Sequence, residues 1–259
     1  MRTTNFTIKK LLLLVAVIVF SSHLYAQDSS GKLSLEVVAG PAVPLGTFAS
    51  KDTSFKPASS GEVAGWAKTG VAINVSVDYR VTSKIGVSLL AGWQQNVRDK
   101  APLEKQLKGG NNEGRNIRAV IDKEYWRVGK MMLGGFFETP TSTSGKLDFQ
   151  SKILIGASKT AIPGYNYSVI LLPSNDLSTA AKGGKISLPW AFCYQVNIGL
   201  KYFLSNKLSL LAQLDYFGAM PIHKYKYYSS FPVQIEGKPV EKKYSVSTVS
   251  PMLGISFTF

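Results

Sequence analysis

Cysteine is nearly missing from this chain of 259 residues, where Cys193 stands alone. One thiol excludes an internal disulfide framework and any cysteine-based metal cluster. Histidine is as scarce, with only His23 and His223. Beyond residue 26 no apolar run approaches the ~20 residues that a membrane-spanning helix needs. What the chain does have is many aromatics and many short segments in which apolar and polar residues alternate. That combination, without spanning helices or disulfides, is the sequence signature of a transmembrane β-barrel, apolar outward and polar inward.

The one long apolar run is Leu11 to Phe20, preceded by Lys9-Lys10 and followed by a small, polar exit, Ser21 to Ala26. This three-part pattern is that of a secretory signal. Cleavage after Ala26 divides the chain into a signal peptide, 1–26, and a mature segment, 27–259. The mature segment carries 27 basic and 16 acidic residues, hence +11 against +14 for the whole chain. A basic balance alone admits nucleic acid as a partner. Export to an envelope compartment points instead to anionic partners such as lipopolysaccharide or acidic glycans, or to envelope proteins.

Alternation over four or more residues marks strands, because successive side chains point to opposite faces. Eight segments carry it: 32–43, 69–81, 84–95, 125–138, 146–158, 190–204, 207–219 and 245–259. The clearest sets Val71, Ile73, Val75, Val77 and Tyr79 against Ala72, Asn74, Ser76, Asp78 and Arg80. In the fourth segment Arg127 and Lys130 have opposite parity. The preferred register turns Met131, Leu133 and Phe137 outward and Lys130 into the lumen, leaving Arg127 near a rim where it can snorkel to water.

Tight polar turns join three pairs of these segments. Tyr79-Arg-Val-Thr-Ser-Lys-Ile-Gly-Val87 is echoed by Tyr202-Phe-Leu-Ser-Asn-Lys-Leu-Ser-Leu210, and Phe137 to Phe149 is a longer version. The other connections, about 44–68, 96–124, 159–189 and 220–244, are long. Short turns alternating with long loops is the asymmetry of outer-membrane barrels, whose long loops face outward. The sequence therefore predicts an all-β, antiparallel up-and-down barrel of eight strands. Tyr165–Leu172 and Pro232–Val240, the latter about a Glu236-Gly237 turn, offer a ten-stranded alternative. Eight strands leave a lumen just wide enough for side chains to fill. Glu36, Asp78 and Asp215 face Arg80, Lys130, Lys152 and Lys201 across it, a charge network read as a plug.

With the strands in place, the chain resembles the outer-membrane β-barrel domain proteins common in Bacteroidetes. These are eight-stranded relatives in architecture of the transmembrane domain of outer-membrane protein A. The residues that carry the resemblance are Leu24-Tyr25-Ala26-Gln27, Val37-Val-Ala-Gly-Pro41-Ala-Val-Pro-Leu-Gly46, the repeated Lys-Leu/Ile turn exits and the terminal Phe259. The resemblance implies outer-membrane lipid as surroundings, and it implies that Phe257 and Phe259 form the signal read by the barrel-assembly machinery. No segment resembles the peptidoglycan-binding domain of full-length outer-membrane protein A.

Chemistry is hard to find. After signal removal His223 is the only histidine available as a general acid or base. A barrel that deacylates lipid A uses a His-x-Ser pair, and here that spacing reads His223-Lys-Tyr225. One His and one Cys do not build a usual zinc site. Gly109 to Gly114 follows no strand-to-helix junction, so it does not read as a phosphate loop. Asp99, Glu104, Glu113, Asp122 and Glu124 read as solvated loop charges. No cofactor and no enzymatic centre is expected. The expectation is a structural or surface-interaction barrel, with a small-solute or ion pore, porin-like, as the alternative. His223, Lys224, Tyr225, Lys226, Tyr227 and Tyr228 interleave bases with aromatics; they read first as part of an interfacial girdle and are otherwise the candidate loop contact, for sugars or anionic headgroups. Trp93, Trp126 and Trp190 are placed in an interfacial girdle.

Overall fold

The structure, a computed structural model, describes residues 32–52, 61–109, 117–141, 145–171, 177–230 and 234–259. The signal segment lies outside them. The strands are β1 (Leu33–Pro44), β2 (Gly61–Glu62), β3 (Gly70–Arg80), β4 (Ile85–Val97), β5 (Ile117–Ile121), β6 (Tyr125–Pro140), β7 (Leu147–Ile162), β8 (Tyr165–Leu171), β9 (Leu177–Gly183), β10 (Ile186–Ser187), β11 (Ala191–Phe203), β12 (Leu208–Ala219), β13 (Ile222–Ser230), β14 (Gln234–Lys243) and β15 (Val246–Thr258). Two helices, α1 (Gly46–Ala49) and α2 (Ala101–Gly109), lie in the long connections.

Eight strands close on themselves. Around the ring the order is β1-β3-β4-β6-β7-β11-β12-β15, every neighbour antiparallel. The ring shuts where β15 returns to β1, with Ser34 opposite Thr258 and Val37 opposite Ile255. Closure is what lipid demands, since a backbone amide at an open edge would have no partner there. The period-2 alternation sorts side chains as the sequence predicts. Val71, Leu89, Met131, Leu133, Ile153, Phe192 and Leu253 are exposed on the outer wall, while Glu36, Asp78, Lys130, Lys152 and Asp215 are buried inside. In water such an outer face would drive aggregation; in a bilayer it is the solvated surface.

The two echoing turns have the same construction. Thr82 Oγ1 accepts from the backbone N–H of Lys84 and Ile85 (3.3 and 3.0 Å). Ser205 Oγ accepts in the same way from Lys207 and Leu208 (3.3 and 3.1 Å). A short hydroxyl side chain thus closes each turn locally. Both turns lie at the end of the barrel that holds Leu33 and Thr258. The long connections emerge at the other end.

Two expectations are corrected. The ten-stranded wall does not form: β8 pairs with β5 and β9 in one small three-stranded sheet, and β14 pairs with β13 on one side and β2 on the other in a second. Nor does a turn sit at Glu236-Gly237. Glu236 pairs with Tyr228 within the β13–β14 hairpin, whose last pair is Ser230 with Gln234.

Candidate functional site in the lumen and mouth

Charges fill the turn-end half of the lumen. Lys152 comes from β7 and Glu36 from β1, which stand four strands apart in the ring of eight and so face each other across the full bore. Lys152 Nζ lies 2.5 Å from Glu36 Oε2 and 2.6 Å from Asp78 Oδ2, and donates to Ser76 Oγ at 3.3 Å. Gln150 Nε2 donates to the other Glu36 oxygen at 3.1 Å. The Lys152 side chain is only 2% exposed. Below it Arg80 meets Glu138 at 3.0 Å, and Lys201 stands 3.7 Å from Glu138 and 3.8 Å from Glu36.

Asp215 and Lys130 form a separate group nearer the loop end. The Asp215 carboxylate accepts from four amides, those of Asn74, Gln195, Asn197 and Gln213, at 2.9, 3.2, 2.6 and 2.7 Å. Lys130 Nζ donates to Gln195 Oε1 at 2.5 Å and sits 4.4 Å above the Phe217 ring. The seven charges singled out from the sequence therefore divide into two groups. Glu138 belongs with the first and went unnamed, although it has the parity of Lys130 and so faces inward with it.

Apolar packing closes the mouth. The single turn α1 carries Phe48 down into the barrel, where it is 0% exposed beside Trp126, with ring centroids 5.4 Å apart and nearly perpendicular. Trp126 also meets the Tyr244 ring at 6.0 Å and donates its indole N–H to Gly65 O at 2.8 Å. The loop is tied down by Leu45 N–H to Ser247 O and by Gly65 N–H to Thr47 O, both at 2.9 Å. Trp126 therefore leaves the interfacial girdle assigned to it from sequence. At 3% exposure it is a buried floor for the cap. Trp93 and Trp190 do stand exposed on the outer wall.

Replacing Phe48 with Ala is expected to cost about 3–5 kcal/mol, the usual range for emptying a buried aromatic site. The check is the midpoint of urea unfolding in detergent, followed by the heat-dependent gel shift of unboiled samples.

Beside the cap, Trp66 holds a left-handed backbone (φ 51°), with Arg98 stacked 4.8 Å over its ring. Such a conformation is costly for a bulky residue and persists only where packing imposes it. Asp99, read from sequence as a solvated charge, is buried between Lys51 (3.3 Å) and Lys68 (3.0 Å). Burial pushes its carboxyl up, but the Ala101 N–H and the two lysines outweigh that and hold it below the usual range.

The loop contact proposed from sequence is only partly assembled. The His223 and Tyr225 rings stack at 5.3 Å, and Lys224 pairs with Glu241 at 2.5 Å. The backbone of residues 226–228 continues β13, whereas the side chains of Lys226, Tyr227 and Tyr228 lie outside the described set. At the far end the Phe257 and Phe259 rings pack edge to face, 4.9 Å apart.

These features define a class: an eight-stranded antiparallel transmembrane β-barrel with a side-chain-filled bore. No family model matches the chain, and no curated protein matches it significantly. Among solved structures it is similar to the outer membrane protein OprG of Pseudomonas aeruginosa, at 13% identity over 89% of this chain and 96% of that one, with a TM-score of 0.46. It is also similar to a major outer membrane protein of Thermus thermophilus, at 11% identity over 88% and 99%, TM-score 0.44. A third is Neisserial surface protein A, at 10% identity over 90% and 100%, TM-score 0.43. At such values the fold rests on the strand pairing of the chain itself.

Proposed function

We propose that this protein is a non-conducting barrel of a bacterial outer membrane, of the kind its sequence resembles in Bacteroidetes, which anchors four long basic loops at the cell surface for structural or adhesive contacts. The observation that carries the reading is the Lys152 side chain, which bridges opposite walls to Glu36 and Asp78 with Lys201 and Arg80 packed below. An ion pathway would have to break those pairs in a low-dielectric bore, where separating buried partners is costly. Phe48 and Trp126 block the loop end independently.

The test is planar-bilayer conductance of the purified mature protein. Absence of steady discrete openings supports the anchor. Reproducible openings of constant amplitude would establish the pore instead. On this reading Phe257 and Phe259 are the assembly signal, and the barrel-assembly machinery is an early partner.

Orientation has its own test, made possible by the burial of Cys193, the sole native thiol. Lys224→Cys is expected to react with a membrane-impermeant maleimide on whole cells, and Ser205→Cys only after lysis. The reverse pattern would place the loops in the periplasm.

A further inference from the structure

We propose that the outer wall of β6 and β7 holds a binding site for the phosphate of an anionic membrane lipid, formed by Arg127 and Lys159 between Trp93 and Trp190. The register builds the site. One row across the wall reads Trp93, Gly129, Lys159, and the row above it reads Gln95, Arg127, Ala161. All six face outward. Lys159 is thus the diagonal neighbour of Arg127, at a Cα spacing of about 7–8 Å that two long side chains close readily around one phosphate.

Gly129 leaves the centre of this patch empty. A Cβ placed there would meet nothing within 4 Å. The Trp190 ring bounds one side, 6.0 Å from Lys159 Nζ, and Trp93 bounds the other from β4. The described residues pair no carboxylate with either cation, whereas Lys152 has two and Arg80, Lys224 and Lys68 have one each. Two unneutralised charges on a face that is otherwise uncharged call for an anion.

The depth selects a lipid. Phe137, exposed near the turn end of β6, marks the border of the apolar wall there, as the exposed Tyr79, Tyr202 and Phe257 do near the turn ends of their own strands. Arg127 lies ten residues above Phe137 on the same strand. At about 3.3 Å per residue and a tilt near 40°, that is roughly 25 Å along the barrel axis, the height of the apolar band of such barrels. The pair therefore stands at the level of the headgroups of the loop-end leaflet, with Met131 and Leu133 below it to contact the acyl chains. Tryptophan at this level anchors to the same interface.

The experiment uses the full mature protein in phosphatidylcholine nanodiscs, titrated with phosphatidylglycerol brominated in its acyl chains. Bromine quenches Trp93 and Trp190 on the wall, while Trp66 and Trp126 are shielded. Phosphatidylglycerol is expected to be preferred over brominated phosphatidylcholine by about tenfold or more, given two cations at the membrane surface. R127Q/K159Q is expected to bring the preference to about one, while K84Q/K207Q, which removes the same charge at the turn end, keeps it. An equal preference in R127Q/K159Q, or an equal loss in K84Q/K207Q, would overturn the site. Displacement of the lipid by a soluble sulfated oligosaccharide would overturn it too, in favour of a glycan. The site depends on the wall alone, so a conducting barrel would leave it standing.

Discussion

Lys152→Met is expected to destabilise the folded barrel by about 3–5 kcal/mol, the usual consequence of removing one partner from a buried ionic cluster. Methionine fits the volume, so packing is a minor part of the loss. The larger part comes from Glu36 and Asp78, two carboxylates held within 2.6 Å of the same ammonium and left without it in a dry bore. Folding into lipid vesicles, followed by urea titration of the unboiled, fast-migrating form, measures the effect. Because the loss comes from stranded charge, K152M combined with E36Q and D78N is expected to recover most of it. If the triple variant is no more stable than K152M, the cluster acts through shape and not through charge.

The second large effect is expected at the closing seam. Gly254 on β15 faces inward, and a Cβ there would lie 2.0 Å from the backbone carbonyl oxygen of Val37 on β1. A backbone atom cannot swing aside as a side-chain end can, so the wall itself has to shift. Gly254→Ala is expected to cost about 3 kcal/mol or more, the upper range for overpacking, and to reduce the yield of closed barrel. Gly129→Ala is the matched control. It also sits mid-strand, but its Cβ enters open space, and a change within about 0.5 kcal/mol is expected. Equal stability of the two variants would mean that the seam tolerates a wider curvature.

All eight wall strands were legible in the sequence to within a few residues at each end. The reason is physical: lipid outside and packed side chains inside impose one strict period, so a slip by one residue would invert every side chain. The same logic fixed Arg127 outward and Lys130 inward. It also implied that Trp126 and Glu138 face inward, since both share the parity of Lys130. Residue type alone puts Trp126, an aromatic at a strand end, in the interfacial girdle; its register turns it inward.

The long connections obey no such period. The pairing of β5 with β8, the burial of Asp99 and the descent of Phe48 into the mouth depend on contacts between segments far apart in the chain. The seven lumen charges were each legible one by one. Their division into two groups was not, because it depends on which strands face each other across the ring.

The cap has a consequence for biogenesis. The seat of Phe48 is built from Trp126 on β6, with Val246 and Tyr244 at the start of the last strand, and the loop is pinned to Ser247. That seat is incomplete until the C-terminal strand has returned to meet the N-terminal one. An early-synthesised loop therefore reports on the last event of assembly. Protease resistance around Phe48 would time-stamp the moment at which the cylinder seals.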